Sequence, residues 1–380
     1  MQHPRQHAPR HRWLAACVAA AALALTASPG LAGPPTGSPG QIGGNLPAPG
    51  PRQFDLEAHR GGIGLVTEST LEAFANALEV GVTTIELDIQ ITEDGQAVVT
   101  HDRQISDVKC DDTAPAFPGD PEFPYVGDYV KDLTLEQVWT LDCGHPLPDF
   151  PDQHVVEGAR IPLLSEVFAL VDCYRANRVW FNIETKVEAG APEQTAPREQ
   201  FVEVVVQEIR EAGLLNRVTI QSFDWGALMR MRDVEPRLPI VALTNFDFLQ
   251  VDQDGASPWL GGLDIDDFDD SLVAITDSFG ADAISPVHGF PQNGKVTDPD
   301  YVPYTTPELV DEAHSAGIAV VPWTIDDPAT IESLIDAGVD GLITNYLDRL
   351  RTILEERGFK LPKAYAEPKR HDCIGEASAA

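Results

Sequence analysis

The sequence predicts an α/β protein, a (β/α)₈ TIM barrel with a small subdomain inserted after the second strand. From Phe54 onward, eight short apolar runs alternate with amphipathic helical patterns. Runs such as Ile318-Ala319-Val320-Val321 are continuously apolar, which is typical of strands buried on both faces of a parallel sheet. Eight such units favour a closed barrel, whereas six or seven would favour an open doubly wound sheet.

The positions of the apolar runs predict the eight strands. They lie near residues 54–59, 83–91, 178–186, 217–222, 238–244, 281–286, 318–324 and 340–344. The first helix has the clearest pattern, because its apolar residues recur at the helical period, at Leu71, Phe74, Ala75 and Leu78. Ser69 and Glu72, at the spacing of a capping box, predict the start of this helix.

Two stretches interrupt the alternation after the second strand. Glu93-Asp94-Gly95-Gln96 predicts a turn that folds residues 96–100 back along this strand and carries His101 to the barrel mouth. Residues 103–160 then form a long Pro- and Asp-rich segment without a regular pattern, and a segment of that length is normally functional. We expect a lid or a small subdomain there.

The N-terminal residues predict export. Three arginines precede an apolar stretch at residues 13–26, which is shorter than the about 20 residues that a bilayer requires. Gly30-Leu31-Ala32 follows as a small-residue cleavage site. We therefore expect residues 1–32 to be a signal peptide that is cleaved near Ala32, and the protein to be secreted.

The rest of the chain divides into three parts. Residues 33–52 are rich in Pro and Gly, which predicts a flexible linker. Residues 53–358 hold the eight strand-and-helix units and are expected to form the barrel, with residues 103–160 inserted. Residues 359–380 follow the last unit as a C-terminal tail.

Charge argues against two classes of partner. The chain has 60 acidic and 26 basic residues, a formal net charge of −34. Such a surface repels nucleic acid and anionic lipid headgroups. After residue 32 the sequence contains no segment apolar enough to cross a membrane, so we expect no nucleic-acid partner and no stable membrane insertion. The oligomeric state is left open.

Four cysteines remain once the predicted signal peptide is removed. An even number in an exported chain favours two disulfides, and four cysteines allow three pairings. Proximity in sequence favours Cys110–Cys143, which leaves Cys173–Cys373 to hold the C-terminal tail. The sequence contains no Cys-x-x-Cys, which argues against thiolate zinc binding and redox catalysis.

Polar side chains cluster at the predicted strand ends, where enzymes of this fold carry their catalytic groups. Glu86 and Asp88 are two residues apart, so both point to the same side of the second strand. Glu184 and Lys186 repeat this spacing on the third strand. The other polar or aromatic residues predicted at this mouth are His59, Arg60, His101, Gln221, Trp323 and Asn345.

Three carboxylates without a thiolate predict a site for a hard divalent cation. Glu86, Asp88 and Glu184 offer oxygen ligands, which suit Ca²⁺ or Mg²⁺, and we favour Ca²⁺. A cation of this kind would offset the negative charge with which a phosphodiester repels nucleophiles, helped by Arg60 and Lys186. The acidic loop at residues 264–270 is expected to be solvated, with a structural Ca²⁺ site as the alternative.

Two histidines at the same mouth can divide proton transfer. One of His59 and His101 would activate the nucleophile, and the other would protonate the leaving alkoxide. Each site residue also has a structural alternative: a hydrogen-bonded histidine, a mutual Glu184–Lys186 ion pair, or Trp323 in the core. Their coincidence at one mouth favours chemistry on a phosphate.

The same residues carry a resemblance to a known family. The chain resembles the glycerophosphodiester phosphodiesterases, in particular secreted bacterial ones, which are (β/α)₈ enzymes that hydrolyse glycerophosphodiesters to glycerol 3-phosphate and an alcohol. The matching stretches are His59-Arg60-Gly61, Glu68-Ser69-Thr70, Glu86-Leu87-Asp88, Gly95 to His101-Asp102, Ile161-Pro162-Leu163, Ile183-Glu184-Thr185-Lys186, Gln221-Ser222-Phe223, Trp323-Thr324 and Asp340-Gly341-Leu342-Ile343-Thr344-Asn345.

This resemblance implies a role for each site residue. The acid/base pair would be His59 and His101, and the metal ligands Glu86, Asp88 and Glu184. The substrate contacts would be Arg60, Lys186, Gln221 and Trp323. Where the family usually has Pro-Glu-Asn-Thr, this chain has Thr67-Glu68-Ser69-Thr70, and a serine still caps a helix.

The implied substrates are small glycerophosphodiesters from deacylated phospholipids, which would place the enzyme in lipid metabolism. A sphingomyelinase D-like or phosphatidylinositol-type phosphodiesterase on the same barrel is an alternative that would need an apolar entry surface. A glycosidase with Glu86 and Glu184 as its carboxylate pair would leave both histidines without a task. A non-catalytic exported binding protein is the remaining alternative.

Overall fold

A computed structural model describes residues 54–369 and 371–379. The predicted signal peptide and the predicted linker, residues 1–32 and 33–52, lie outside this described part. Within it, every helix is too short or too polar to span a lipid bilayer.

Eight parallel strands form the predicted barrel. They are β1 (Asp55–Ala58), β2 (Thr84–Ile91), β3 (Trp180–Thr185), β4 (Val218–Ser222), β5 (Ile240–Thr244), β6 (Ala283–Pro286), β7 (Ala319–Val320) and β8 (Gly341–Thr344). Neighbouring strands pair in the order β7-β6-β5-β4-β3-β2-β1-β8. Backbone hydrogen bonds from Asp340 N to Val320 O (2.9 Å) and from Ile343 N to Pro322 O (3.1 Å) join the two ends. The prediction of a TIM barrel rather than an open sheet is therefore confirmed.

A helix follows each strand along the chain. These helices are α1 (Leu71–Val80), α2 (Leu164–Cys173), α3 (Arg198–Glu211), α4 (Trp225–Val234), α5 (Leu272–Ser278), α6 (Pro307–Ala316), α7 (Pro328–Ala337) and α8 (Leu347–Glu356). Their apolar faces and the strand residues that face them form one core, in which Phe74, Ile85 and Phe181 are fully buried. This core holds the strand ends, and so the site, in place.

The second strand is longer than the others and extends beyond the barrel rim. Its last residues pair with the antiparallel strand Ala97–Val99, with Ile89 opposite Val99. The turn predicted at residues 93–96 is thus confirmed, and it returns the chain to His101. Glu86 and Asp88 lie in the body of β2, whereas the sequence had predicted them at its end, because this hairpin continues the strand.

The start of α1 differs from the prediction. Thr70 is the N-cap, and its side chain accepts a hydrogen bond from Ala73 N, so the capping box predicted at Ser69 is wrong. Ser69 precedes the cap in a left-handed conformation with φ of 57°. Its buried hydroxyl has no hydrogen-bond partner among the described residues. Asparagine, which the related family usually has here, adopts this conformation more readily than serine.

The inserted residues 103–160 have a small apolar cluster of their own. It includes Tyr125, Val130, Leu133 and Val138, and it is separate from the main core. The segment contains the short helix Leu135–Val138 and an antiparallel pair of two-residue strands, Asp111–Asp112 with Leu141–Asp142. The lid role predicted for it stays a prediction.

Both predicted disulfides are present. Cys110–Cys143 lies within the inserted residues, next to the pair of short strands. Cys173–Cys373 joins the end of α2 to the C-terminal helix Cys373–Ala377 across 200 residues of sequence. The tail is therefore attached to the outside of the barrel.

Candidate active site

Three buried carboxylates from adjacent strands face one another at the C-terminal end of the barrel. Asp88 on β2 is in register with Glu184 on β3, and Glu86 lies two residues before Asp88. One oxygen atom from each lies within 4.8 Å of the others. The spacing that predicted a shared cation site thus brings the three predicted ligands together.

Two cationic side chains pack against this carboxylate cluster. Arg60 Nε lies 3.2 Å from Asp88 Oδ2. Lys186 Nζ lies 2.8 Å from Glu184 Oε1 and 3.6 Å from Asp88 Oδ1. Arg60 also donates its backbone N–H to Glu86 Oε2 (2.9 Å) from a left-handed conformation with φ of 52°. Such a conformation is uncommon for a residue other than glycine, and strained residues of this kind concentrate at functional sites.

Burial and mutual repulsion dominate the electrostatics of the three acids. Burial raises the pKa of Glu86 well above its ordinary value, and the charges of Asp88 and Glu184 raise it further. Burial also raises the pKa of Glu184, against the opposing effect of Lys186. For Asp88, the charges of Lys186, His101 and Arg60 outweigh burial, and its pKa is lowered. Burial and repulsion between the acids therefore disfavour full ionisation of the cluster, and a further positive charge would favour it.

Gln221 lies behind this cluster and is almost completely buried. Its Nε2 donates to Glu86 Oε1 (2.8 Å), and its Oε1 accepts a hydrogen bond from Asn182 Nδ2 (2.9 Å). Both halves of the amide are thus bonded to protein atoms. Gln221 therefore orients Glu86. The substrate contact predicted for Gln221 stays a prediction.

His59 is held by an amide. Its Nδ1 is 2.6 Å from Asn345 Oδ1, and Asn345 Nδ2 donates to Asp326 Oδ2 (2.7 Å). Because the Asp326 carboxylate can only accept, the Asn345 oxygen must face the histidine, which places a proton on His59 Nδ1. Burial and the Arg60 charge lower the pKa of His59 to about 3, so its ring is neutral with Nε2 unprotonated.

His101 is held by a carboxylate. Its Nδ1 is 2.7 Å from Asp102 Oδ1, so this ring also carries its proton on Nδ1. Burial, with the charges of Lys186 and Arg60, lowers the pKa of His101 to about 4. Two neutral imidazoles with unprotonated Nε2 atoms thus line the same cavity.

A chain of ion pairs that the sequence did not predict connects Arg60 with His101. Glu68 Oε2 contacts Arg60 Nη1 (2.6 Å), and Glu68 Oε1 contacts Lys109 Nζ (2.5 Å). Lys109 Nζ in turn lies 2.9 Å from Asp102 Oδ2. The sequence offered a signal for Glu68, because this residue belongs to a stretch that matches the related family. It offered no signal for Lys109, because Lys109 lies in the irregular insertion.

The site opens into a cavity of about 1080 Å³ at the mouth of the barrel. Of the predicted catalytic, metal-binding and substrate-binding residues, Asp88 alone does not line it, because Asp88 lies behind Arg60 and Lys186. Asp102, which holds His101, also lines the cavity, whereas Asn345, which holds His59, does not.

Asn345 therefore orients His59 from behind the cavity wall, whereas Asp102 faces the cavity itself. The first residues of the insertion, from Arg103 to Asp107, complete this side of the wall. The insertion thus forms part of the mouth of the barrel.

The opposite side of the cavity is aromatic. Phe223, after β4, makes edge-to-face contacts with Trp323 (ring centroids 5.4 Å apart) and Phe248 (5.3 Å). Phe248 stacks on Trp259 with centroids 4.1 Å apart. We call Phe223, Phe248, Trp259 and Trp323 the aromatic wall. The sequence predicted only Trp323, which lies three residues beyond the end of β7 rather than in it.

The acidic loop at residues 264–270 uses its carboxylates locally. Asp264 accepts hydrogen bonds from the backbone N–H of Asp266, and Asp266 accepts one from Asp252 N. Among the described residues, this loop does not contain a group of acids close enough to share an ion. These contacts favour the solvated loop over the structural Ca²⁺ site.

Fold and site together define a class of protein. Buried carboxylates that can share a cation, two flanking cations and two oriented imidazoles at the mouth of a (β/α)₈ barrel are the equipment of a phosphoric ester hydrolase. The particular family follows from the sequence as a whole. The chain belongs to the glycerophosphoryl diester phosphodiesterase family, whose model matches residues 59–349.

Two relatives named glycerophosphodiester phosphodiesterase match this chain over most of their own length. A glycerophosphodiester phosphodiesterase of Caldanaerobacter subterraneus subsp. tengcongensis is 28% identical over 301 residues, which cover 79% of this chain and 98% of that protein. One from Bacillus subtilis is 27% identical over 297 residues, covering 77% of this chain and 83% of that protein. The predicted family and the prediction that the chain is an enzyme are therefore confirmed.

Solved structures share the fold. A crystal structure from Silicibacter pomeroyi DSS-3 that carries the name of this family has a TM-score of 0.66 at 28% identity, covering 82% of this chain and 96% of that chain. A phosphodiesterase of Oleispira antarctica, solved in complex with sn-glycerol-3-phosphate, has a TM-score of 0.54 at 16% identity, covering 79% of this chain and 96% of that chain.

Proposed function

We propose that this protein is a secreted, divalent-metal-dependent enzyme that hydrolyses glycerophosphodiesters to glycerol 3-phosphate and an alcohol, with His59 and His101 as the acid/base pair. The observation that carries the proposal is the meeting, at one cavity, of three buried carboxylates with two imidazoles that are each held at Nδ1. The names of the family and of the relatives support the substrate class.

The donor set fits a hard divalent cation. Glu86, Asp88 and Glu184 offer carboxylate oxygens within 4.8 Å of one another, and all three are buried. Burial and the neighbouring acids raise the pKa of Glu86, so a positive charge at this point would stabilise its ionised form. A bound cation would supply electrostatic stabilisation of the phosphate charge in the transition state. We favour Ca²⁺, with Mg²⁺ as the alternative, because oxygen-only sites suit both.

Two side chains of the site are suited to bind the phosphate. Lys186 lies at the end of β3, lines the cavity and carries a pKa raised by its acidic neighbours Glu184 and Asp88, which keep it charged against the effect of burial. Arg60 lines the cavity as well and is held by Glu68. Both would bind non-bridging phosphate oxygens, Arg60 through its planar guanidinium and Lys186 as a point charge.

The histidines are prepared for proton transfer by their partners. Asn345 and Asp102 each accept the Nδ1 proton, so both Nε2 atoms are free to take a proton or to return one. One ring takes the proton of the nucleophile at Nε2. The other ring first takes up a proton at Nε2 from solvent and then gives it to the leaving alkoxide. The Asp102 carboxylate stabilises the protonated form of His101 more than an amide can stabilise that of His59.

A direct assay tests the hydrolase and its metal requirement. Purified enzyme is incubated with glycerophosphocholine in Ca²⁺, in Mg²⁺ or in EDTA, and glycerol 3-phosphate is measured. We expect product with a divalent cation and its loss in EDTA, restored by readdition. Absence of product under every metal condition would defeat the proposal for this substrate class, and full activity in EDTA would defeat the metal requirement.

Metal binding can also be measured without activity. Calorimetric titration of the apoprotein with Ca²⁺ should show one site that Glu184→Gln weakens at least tenfold, since a ligand oxygen is lost. Glu193→Gln changes an exposed glutamate near the same mouth and should leave binding unchanged. Equal affinity of Glu184→Gln and the wild-type protein would place the ion elsewhere.

The aromatic wall favours a second candidate substrate for the same phosphodiester hydrolysis, namely a lysophospholipid. The chain as a whole is only 7% aromatic, yet four rings line one side of the cavity. Phe246, in the short helix Phe246–Leu249 after β5, and Phe290, in the short strand Gly289–Phe290 after β6, are more than half exposed. An apolar group next to the phosphate would find contact area there.

One comparison distinguishes the two substrates. We expect glycerophosphocholine to be the better substrate by kcat/KM, and Trp259→Ala to affect it less than threefold. If lysophosphatidylcholine is the better substrate and Trp259→Ala lowers its kcat/KM at least tenfold, the second candidate replaces the first.

A further inference from the structure

One lysine of the insertion lies inside the ionic network of the active site. Lys109 Nζ is 2.5 Å from Glu68 Oε1 and 2.9 Å from Asp102 Oδ2, and its side chain is 24% exposed. Each of these acids uses its other oxygen to hold a group of the site. Glu68 holds Arg60 Nη1 (2.6 Å), and Asp102 holds His101 Nδ1 (2.7 Å).

The main chain of Lys109 is fixed by the insertion. Its backbone N–H donates to Ser106 O (3.1 Å), and its carbonyl oxygen accepts a hydrogen bond from His145 N (3.3 Å). The next residue is Cys110, which is bonded to Cys143. The disulfide therefore joins the two segments that hold the backbone on either side of this lysine.

We propose that Lys109 is a positioning residue of the hydrolysis, through which the disulfide-bonded insertion orients His101 and Arg60. The inference rests on the proposed acid/base role of His101. Lys109 places its one charge between two carboxylates that would otherwise repel each other. It thereby keeps Asp102 against His101 Nδ1 and Glu68 against the Arg60 guanidinium.

Loss of this charge should act on turnover more than on binding. Without Lys109, Asp102 has one anchor fewer and lies beside the Glu68 charge, so His101 loses its defined orientation. Proton transfer is sensitive to such displacement, since misplacement of reacting groups by about 1 Å can lower rates by about 100-fold. The Lys186 contacts to Glu184 and Asp88 do not involve Lys109, and Arg60 keeps its own contact to Asp88 when Glu68 shifts. Phosphate binding should therefore be affected much less than turnover.

The first experiment compares two lysines of the insertion. Lys109→Met should lower kcat for glycerophosphocholine at least tenfold and change KM by less than threefold, and Lys109→Arg should restore at least half of the lost turnover. Lys131→Met is the control, because Lys131 is similarly exposed (25%) but, among the residues that the structure describes, forms an ion pair only with its neighbour Asp132 (2.6 Å). A kcat of Lys109→Met within twofold of the Lys131→Met value would overturn the inference.

The second experiment tests the link to the disulfide. The double variant Cys110→Ser, Cys143→Ser should lower kcat at least fivefold in the wild-type background and less than twofold in the Lys109→Met background. A disulfide that merely stabilises the fold would lower Tm in both backgrounds and would leave kcat, measured well below Tm, unchanged or reduced equally in both. Either of these two outcomes would contradict the proposed route through Lys109.

His101→Ala separates failure of this inference from failure of the proposed function. If His101→Ala retains wild-type turnover, the acid/base role falls, and the route through Lys109 falls with it. If His101→Ala is inactive while Lys109→Met is fully active, the proposed function stands and the inference alone is wrong.

Discussion

At the scale of single residues, the two histidines differ in the group that holds Nδ1. His59 is bonded to an amide that is itself held by Asp326, and His101 to a carboxylate that is itself held by Lys109. In both cases a second group fixes the partner, so the ring orientation is determined before the substrate arrives. The chemistry depends on these supports as well as on the rings.

The first prediction concerns the rings themselves. His59→Ala and His101→Ala should each lower kcat at least about 100-fold, since each proton transfer typically contributes about 10² to 10⁴ in rate. His314→Ala is the control, because His314 pairs with Asp340 at the opposite end of the barrel (2.9 Å) and should keep normal kinetics. Steady-state assays with glycerophosphocholine measure this, and near-normal turnover in either site variant would remove that ring from its role.

The second prediction concerns pH and Glu68. Burial raises the pKa of Glu68, but the charges of Arg60 and Lys109 outweigh it and hold the pKa at about 2, below its ordinary value of 4.5. A depressed folded-state pKa stabilises the protein above pH 4.5, and this contribution is lost as the pH falls towards 2.

Glu68→Gln should remove this pH dependence. The free energy of unfolding of the wild-type protein should fall more steeply below pH 4.5 than that of the variant, by up to roughly 3 kcal/mol in total. Urea denaturation at pH 7, 5 and 3 measures the difference, with the exposed Glu136→Gln as the control. If the free energy of unfolding depends on pH in the same way for Glu68→Gln and the wild type, the lowered pKa assigned to Glu68 is contradicted.

The third prediction concerns Ser69, whose φ of 57° is unfavourable for serine. Ser69→Asn should raise the free energy of unfolding by about 0.5 to 1 kcal/mol, because asparagine tolerates the left-handed conformation better. A cavity of about 40 Å³ beside Ser69 offers room for the larger side chain. The same change at Ser315, in α6, should not stabilise the protein. A destabilised Ser69→Asn variant in chemical denaturation would show that space, and not φ, limits this position.

At the scale of elements, the two disulfides hold different parts of the molecule. Cys110–Cys143 lies in the insertion that contributes Lys109 to the site, whereas Cys173–Cys373 holds the C-terminal helix against α2, outside the barrel. We therefore expect the removal of each disulfide to have a different consequence for the protein.

The fourth prediction follows from this difference. The double variant Cys173→Ser, Cys373→Ser should lose about 2 to 5 kcal/mol of stability, since the bond closes a long loop of the unfolded chain. Its kcat below Tm should remain within twofold of the wild-type value, because the C-terminal helix packs on helices outside the barrel and contributes no residue to the lining of the cavity. Thermal unfolding and steady-state kinetics on the same preparation measure both. A fall in kcat at a temperature where the variant is fully folded would show that the C-terminal tail influences the active site.

At the scale of the whole molecule, the net charge and the cysteine pairing are both compatible with the proposed location outside the cytoplasm. A net charge of −34 is expected to disfavour binding to anionic surfaces, and the four cysteines of the described residues are all paired. Disulfides of this kind persist in oxidising surroundings outside the cytoplasm. Both features support the proposed export.

The fifth prediction tests that export. The chain has five cysteines, and the fifth that the two disulfides leave over, Cys17, lies within the predicted signal peptide. Protein recovered from the culture medium of an expressing bacterium should therefore begin near Gly33 and contain no free thiol after denaturation without reductant. Intact-mass measurement and thiol titration check the two statements. An exported form that retains residues 1–32, or reactive thiols in the mature chain, would refute the processing or the pairing.

Much of the fold and of the metal site followed from local patterns. Alternating strands and helices predicted the barrel, and the two-residue spacing of Glu86 with Asp88, repeated at Glu184, predicted three acids on one face. These predictions succeeded because the geometry of strands and helices depends on neighbours along the chain. The capping box at Ser69 failed, because a contact of Ser69 N with Arg60 O favours the left-handed turn there.

The sequence by itself thus determined which elements form, which side chains meet at the barrel mouth and which family the chain resembles. Only the tertiary structure decided that Lys109 bridges Glu68 and Asp102, that Asn345 holds His59, and that Phe248 and Trp259 complete the aromatic wall. These contacts join segments that are far apart in sequence and have no periodic pattern. Their partners are set by the three-dimensional packing of loops, which neither spacing nor propensity encodes.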